Sequence, residues 1–238
     1  MLVPKMYRPR RASDIIETVR RNPLALVATN GAQTPYATHV PVIIDRYAAG
    51  PDQGESLVGA SLLGHMNRTN DHWRALQDGG NVLVVFQGPH FYISPVAYER
   101  RPAAPTWNFI TVHLRGRIEP IAPGEPTFDV VTSTVQALEE VAGTAWDMTG
   151  SLDYFRKIQP GVGAFRVHVE KVEAMFKLSQ EHSAEVRRSI RDHLSAHGGG
   201  MSRELFEAMW SDELAAEDRD RASQPAGIGE PAGKQLKG

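Results

Sequence analysis

The sequence predicts an α+β fold, a small β-barrel decorated by helices, and three observations carry that reading. Six or seven short runs rich in branched and aromatic residues are separated by turn signals at close spacing. The helical segments are inserted mostly late in the chain. There is no glycine-rich dinucleotide fingerprint, no phosphate loop and no internal repeat, which sets a Rossmann architecture aside.

Asp14 and Glu17 have the spacing of a capping box, and Ile15, Ile16 and Val19 give a short helix its apolar stripe, ended by Asn22-Pro23. Leu24 to Thr29 reads as a buried strand, Asn30-Gly31 as a turn, and Tyr36 to Asp45 as the partner strand. Arg46 to Glu55, with Gly50, Pro51 and Gly54, reads as an exposed loop. A strand from Ser56 stops at Gly64, and a helix through Trp73 and Leu76 stops at Asp78-Gly79-Gly80. Asn81 to Gln87 is strand-like, Gly88-Pro89 breaks it, and Phe91 to Ser94 is a second extended piece. Glu99 to Pro105 is a surface excursion.

Trp107 to Pro120 is the most informative strand, because its alternation separates two faces. Asn108, Ile110, Val112, Leu114 and Ile118 form a mostly apolar one; Trp107, Phe109, Thr111, His113, Arg115 and Arg117 form the other, which suits an interface or an aromatic cofactor. A helix follows from Pro126, with Phe128, Val131, Val135, Leu138 and Val141 at helical spacing. Ser151 caps a shorter one. A strand from Gly163 to Val172 points Phe165, Val167 and Val169 inward and leads on to Lys177. Helices over Ala184 to His197 and Ser202 to Arg219 complete the fold, and the tail after Ala222, rich in Gly, Pro and Ala, reads as disordered. The chain divides into a barrel domain over 1–190, a helical extension over 191–221 and a tail over 222–238.

Composition narrows the chemistry. With 238 residues and 41% hydrophobic residues the chain can fill a core. It has no cysteine, so disulfides, thiolate nucleophiles and iron–sulfur clusters are excluded, and any metal falls to the nine histidines, to carboxylates or to a cofactor. No membrane-spanning run or signal peptide is evident, so a cytoplasmic protein is expected. The net charge of −2 argues against nucleic acid as a partner.

Leu62 to Trp73 is the stretch on which the site reading centres. His65, Asn67, Arg68 and Asn70 fall where a strand end opens into a helix start, a place suited to an anion or a prosthetic group. Asn67 and Asn70 equally suit capping the helix.

Four motifs in series resemble the FMN-binding negative transcriptional regulator family: Gly64-His65-Met66-Asn67-Arg68-Thr69-Asn70, Gly88-Pro89-His90-Phe91-Tyr92-Ile93-Ser94-Pro95, Pro105-Thr106-Trp107-Asn108-Phe109 and Lys177-Leu178-Ser179-Gln180. The resemblance covers residues 1 to 190 and implies the FMN-binding, flavin-reductase-like split barrel, as a homodimer with its cofactor at the subunit interface. Val96 to Pro105, Trp146-Asp147-Met148-Thr149, Gly163 to Val167 and Met175 to Glu181 depart from the regulator branch. They resemble the piperazate synthases, a haem b branch that closes N5-hydroxy-L-ornithine into L-piperazate for nonribosomal peptides.

That resemblance implies a haem-dependent N–N bond-forming cyclase, a lyase-type dehydration, with FMN and a regulator or flavin oxidoreductase as the alternative. In a cysteine-free chain histidine is the first choice of iron ligand, with His65 ahead of His113 and His90. Catalytic roles fall to His65, His113 and Lys177. Cofactor contacts fall to His65, Asn67, Arg68, Asn70, His90, Trp107, Asn108, Phe109 and Ser179. Arg68 and the two asparagines meet a phosphate or a propionate.

Overall fold

The alternation of inward apolar side chains is what closes the molecule on itself. The computed structural model describes residues 1–47, 56–98, 101–144, 146–196, 200 and 203–213. Six strands, β1 (Leu24–Thr29), β2 (Tyr36–Ile44), β3 (Ser61–Asn67), β4 (Gly80–Ile93), β5 (Thr106–Pro120) and β6 (Val162–Lys177), form a closed antiparallel barrel. Their order is β1-β2-β3-β6-β5-β4, with β4 pairing back onto β1. The α+β barrel expected from the sequence is therefore present. Its inner wall includes Val27, Val42, Leu62, Val84, Phe86, Val112, Leu114, Phe165 and Val167, all buried, and removal of such side chains from water is the main force holding the ring shut.

Helix α1 (Ala12–Arg21) adds Ile16 and Val19 to this core, and α2 (Asp71–Ala75) adds Trp73. Helix α3 (Glu125–Ala142) lies outside, where Val130 packs with Ile43, Leu63 and Ala164. After the short α4 (Leu152–Ile158) and strand β6 come α5 (Ala184–Ala196) and α6 (203–213), which send Ile190, Leu194, Leu205 and Met209 into the main core. Helix α5 is continuous through residue 190.

Three elements differ from the sequence reading. Strand β3 begins at Ser61 and does not stop at Gly64; it runs on to Asn67 because β6 supplies partners, Ala164 for His65, Gly163 for Met66 and Val162 for Asn67. Gly64 breaks nothing because the Phe165 ring fills its side-chain space: a Cβ there would lie 2.4 Å from Phe165 Cζ. Gly88-Pro89 does not split β4. The ladder to β5 absorbs both residues in a register shift between Gln87 and His90 and resumes. The final strand likewise continues from Val162 to Lys177. Most of the loop expected at 46–55, the end of the last helix and the tail after Ala222 lie outside the described residues.

Candidate functional site

The residues singled out from the sequence fall into two groups at opposite ends of β6. His65 stands on the outer face of β3, in the row of Leu63 and opposite Ala164. Its Nδ1 is buried and has no hydrogen-bond partner among the described residues, and burial lowers the pKa of the ring, so the imidazole is neutral at pH 7. That is the protonation state metal ligation requires.

Around it the polar side chains are committed locally. Asn67 Oδ1 accepts from Thr69 N and Oγ1, both at 2.8 Å, and Asn70 Oδ1 accepts from His72 N at 2.9 Å. Asn70 is thus the N-cap of α2, and Asn67 closes a turn. Arg68 donates its backbone N–H to Gly161 O at 2.9 Å, and its guanidinium makes no ion pair among the described residues. Of the four, His65 and Arg68 keep side chains available for a ligand.

The second group gathers where β4 and β5 extend past the barrel. Trp107 is 50% and Tyr92 46% exposed, their rings 6.0 Å apart edge-on. Trp107 Nε1 donates to His90 Nδ1 at 3.3 Å, and Phe109 pairs with His90 on one side and Lys177 on the other. Lys177 Nζ donates to Thr106 Oγ1 at 2.5 Å. Asn108 and Ser179 lie beneath this surface: both are fully buried, and Asn108 Nδ2 donates to Ser179 Oγ at 2.8 Å. Ser179 holds φ of +63°, and Gln180 reaches back to Leu178 N and Phe176 O. The Lys-Leu-Ser-Gln motif is therefore a braced turn that ends β6 directly after Lys177.

His113 lies on the outer face of β5 opposite Glu173. Its Nδ1 is buried without a partner among the described residues; burial first, then the Met1 ammonium and Arg115, lower its pKa against the pull of Glu173. Glu173 itself is held down to about 2 by the Met1 ammonium, then by Arg115 and Lys171. His65 and His113 are not neighbours. Their β6 partners, Ala164 and Glu173, stand nine positions apart, about 30 Å along a strand.

His72, given no role from the sequence, proves the best-held histidine. Its ring nitrogens bond Thr29 Oγ1 at 2.9 Å and Thr38 Oγ1 at 2.8 Å, and it stacks on Tyr36 with centroids 5.3 Å apart. It ties α2 to β1 and β2. Only its place two residues after the Asn70 cap was legible, because both threonines are remote in sequence.

A recess of about 960 Å³ lies elsewhere: α1, α3 and α6 wall it over a floor that includes Val42, Ile110 and Phe176. None of the site residues named above lines it. His65, Arg68, His90, Trp107 and His113 sit instead on the outside of the barrel, with Asn108 and Ser179 buried beneath them.

Residues 1–171 match the family model described as "Putative FMN-binding domain". The chain belongs to this FMN-binding domain family. A protein of Bacillus subtilis, protease synthase and sporulation protein PAI 2, is 28% identical over 215 residues, spanning 88% of this chain and 96% of its own length. Among solved structures, a conserved hypothetical protein from Mycobacterium tuberculosis superposes with TM-score 0.52 at 11% identity, over 77% of this chain and 96% of that one. The FAD and haem binding protein from Mycobacterium smegmatis gives TM-score 0.48 at 16% identity, over 81% and 80%. The likeness to the Mycobacterium tuberculosis structure is one of fold alone.

Proposed function

We propose that this member of the FMN-binding domain family is a haem-dependent cyclase of the piperazate synthase type, closing N5-hydroxy-L-ornithine to L-piperazate for nonribosomal peptide assembly. The observation that carries the reading is His65, a partly buried imidazole kept neutral by desolvation, whose buried Nδ1 meets no partner among the described residues. The lone pair of its other ring nitrogen, Nε2, fits an iron ligand better than it fits FMN, whose phosphate calls for cations and N–H donors. In this reading His65 holds the iron, and Arg68 faces a propionate.

Haem b, when bound, supplies a Lewis-acidic iron that draws electron density from the hydroxylated nitrogen. Overall, the α-amine nitrogen bonds to N5, the N–O bond breaks, and the displaced hydroxide leaves as water with a proton from the amine. One nitrogen is oxidised by as much as the other is reduced, so no external reductant enters. His113, neutral by burial and positive neighbours, would accept the amine proton; Lys177, held beside Thr106 farther along the same strand pair, would neutralise a propionate.

A site using both groups takes His65 and Arg68 from one copy and His113 and Lys177 from a second, because one chain holds them at opposite ends of β6. A homodimer joined through the sheet face carrying Tyr92 and Trp107 would supply that, and it would bury two half-exposed aromatic rings.

The test is direct. Purified protein should show a haem Soret band, His65→Ala should lose it, and the loaded protein should cyclise hydroxyornithine. A protein that cyclises at full rate without iron sinks the proposal. The second reading, an FMN-binding regulator or oxidoreductase, is favoured by the family match. A two-banded flavin spectrum with no Soret band, alongside salt-sensitive DNA binding, would establish the regulator.

A further inference from the structure

We infer that Gly163 with Trp73, and Gly64 with Phe165, form a brace that fixes the backbone segment carrying His65; the inference rests on His65 being the cofactor ligand. Metal-binding histidines are ordinarily oriented by a hydrogen bond from their second ring nitrogen to a carboxylate or carbonyl. Among the described residues His65 has no such bond at Nδ1. The aim of its ring then depends on how firmly the backbone that carries it is held.

The ladder around it provides this. Three consecutive register pairs run Gly64 with Phe165, His65 with Ala164, and Met66 with Gly163. On the inner face, a Cβ at Gly64 would lie 2.4 Å from Phe165 Cζ, and a Cβ at Gly163 would lie 2.4 Å from both Trp73 Cδ2 and Cε2. The two rings thus occupy the space the glycines vacate, directly before and after the pair that carries His65. Phe165 is fully buried and Trp73 nearly so. On the outer face, Ala164 and Leu63 pack with Val130 of α3. The strand bearing His65 is clamped between two aromatic rings and a helix, and Phe165 and Trp73 are positioning residues.

Gly163→Ala drives a methyl into the indole, and adding Trp73→Leu restores the room. Trp73→Phe loosens the same contact without adding bulk. Val27→Ala, a fully buried change on β1, serves as a control for general loss of stability. Two readouts are used: the order of the His65 ring from nitrogen relaxation in cofactor-free protein, and haem affinity with Soret position.

Gly163→Ala and Trp73→Phe are expected to lower ring order and weaken haem binding at least tenfold, with recovery in the Gly163→Ala/Trp73→Leu pair and no change in Val27→Ala. Folded Gly163→Ala with unchanged ring order and affinity overturns the inference, as does an equal loss in Val27→Ala. If the unaltered protein takes up no haem yet ring order still falls in Gly163→Ala, the brace stands and the cofactor reading falls.

Discussion

Ser179 shows how much a single residue can reveal. A non-glycine residue at φ of +63° carries strain that persists only where its surroundings fix it, and here Asn108 and Gln180 do so. Ser179→Ala keeps the strain and loses the bond to Asn108, whereas Ser179→Gly loses both. Alanine should therefore be the less stable of the two by about 1 kcal/mol, read from urea unfolding. Three histidines, His72 buried and His65 and His113 partly so, make a second prediction at this scale. Burial lowers the folded-state pKa of His65, His72 and His113, so below the ordinary value of 6.5 the unfolded chain binds more protons than the folded one. Their contribution is complete above pH 6.5 and is lost as pH falls through the folded-state values. Unfolding free energy measured between pH 7 and 5 should decline, and more gently in His72→Gln.

Helix α6 is held on by more than contact area. Leu205 and Met209 are fully buried, while Asp212 takes Arg10 at 2.9 Å and Arg187 at 3.3 Å, and Glu213 takes Arg191. Leu205→Ala should cost about 2–5 kcal/mol by thermal or urea unfolding, as for a core leucine rather than a peripheral one. The elements also show what the sequence could and could not disclose. The inward row Asn108, Ile110, Val112, Leu114 and Ile118 was readable because alternation is a local signal. The continuation of β3 to Asn67 and of β4 through Gly88-Pro89 was not, since partners on other strands override glycine and proline as punctuation. Within the site, the capping role of Asn70 could be read locally. The burial of Ser179 and the tether of His72 to Thr29 and Thr38 depended on which strands meet.

For the whole molecule, the separation of the two residue groups sets the expectation. Light scattering should give about twice the chain mass of 26.2 kDa, and Trp107→Glu, which puts a charge on the half-exposed sheet face, should yield monomer and abolish haem uptake together. Retained dimer in that variant would place the contact on another surface.

The partnering of β4 has one more consequence. Strand β1 pairs with β4 only over Val82 to Val85, so the stretch of β4 that runs on to Ile93 has β5 along one flank and no barrel strand along the other. Pro89 sits there, offering no amide hydrogen to a stray chain. Its replacement by threonine should leave the native molecule intact and still make concentrated solutions prone to fibre formation, visible as dye binding that climbs with protein concentration.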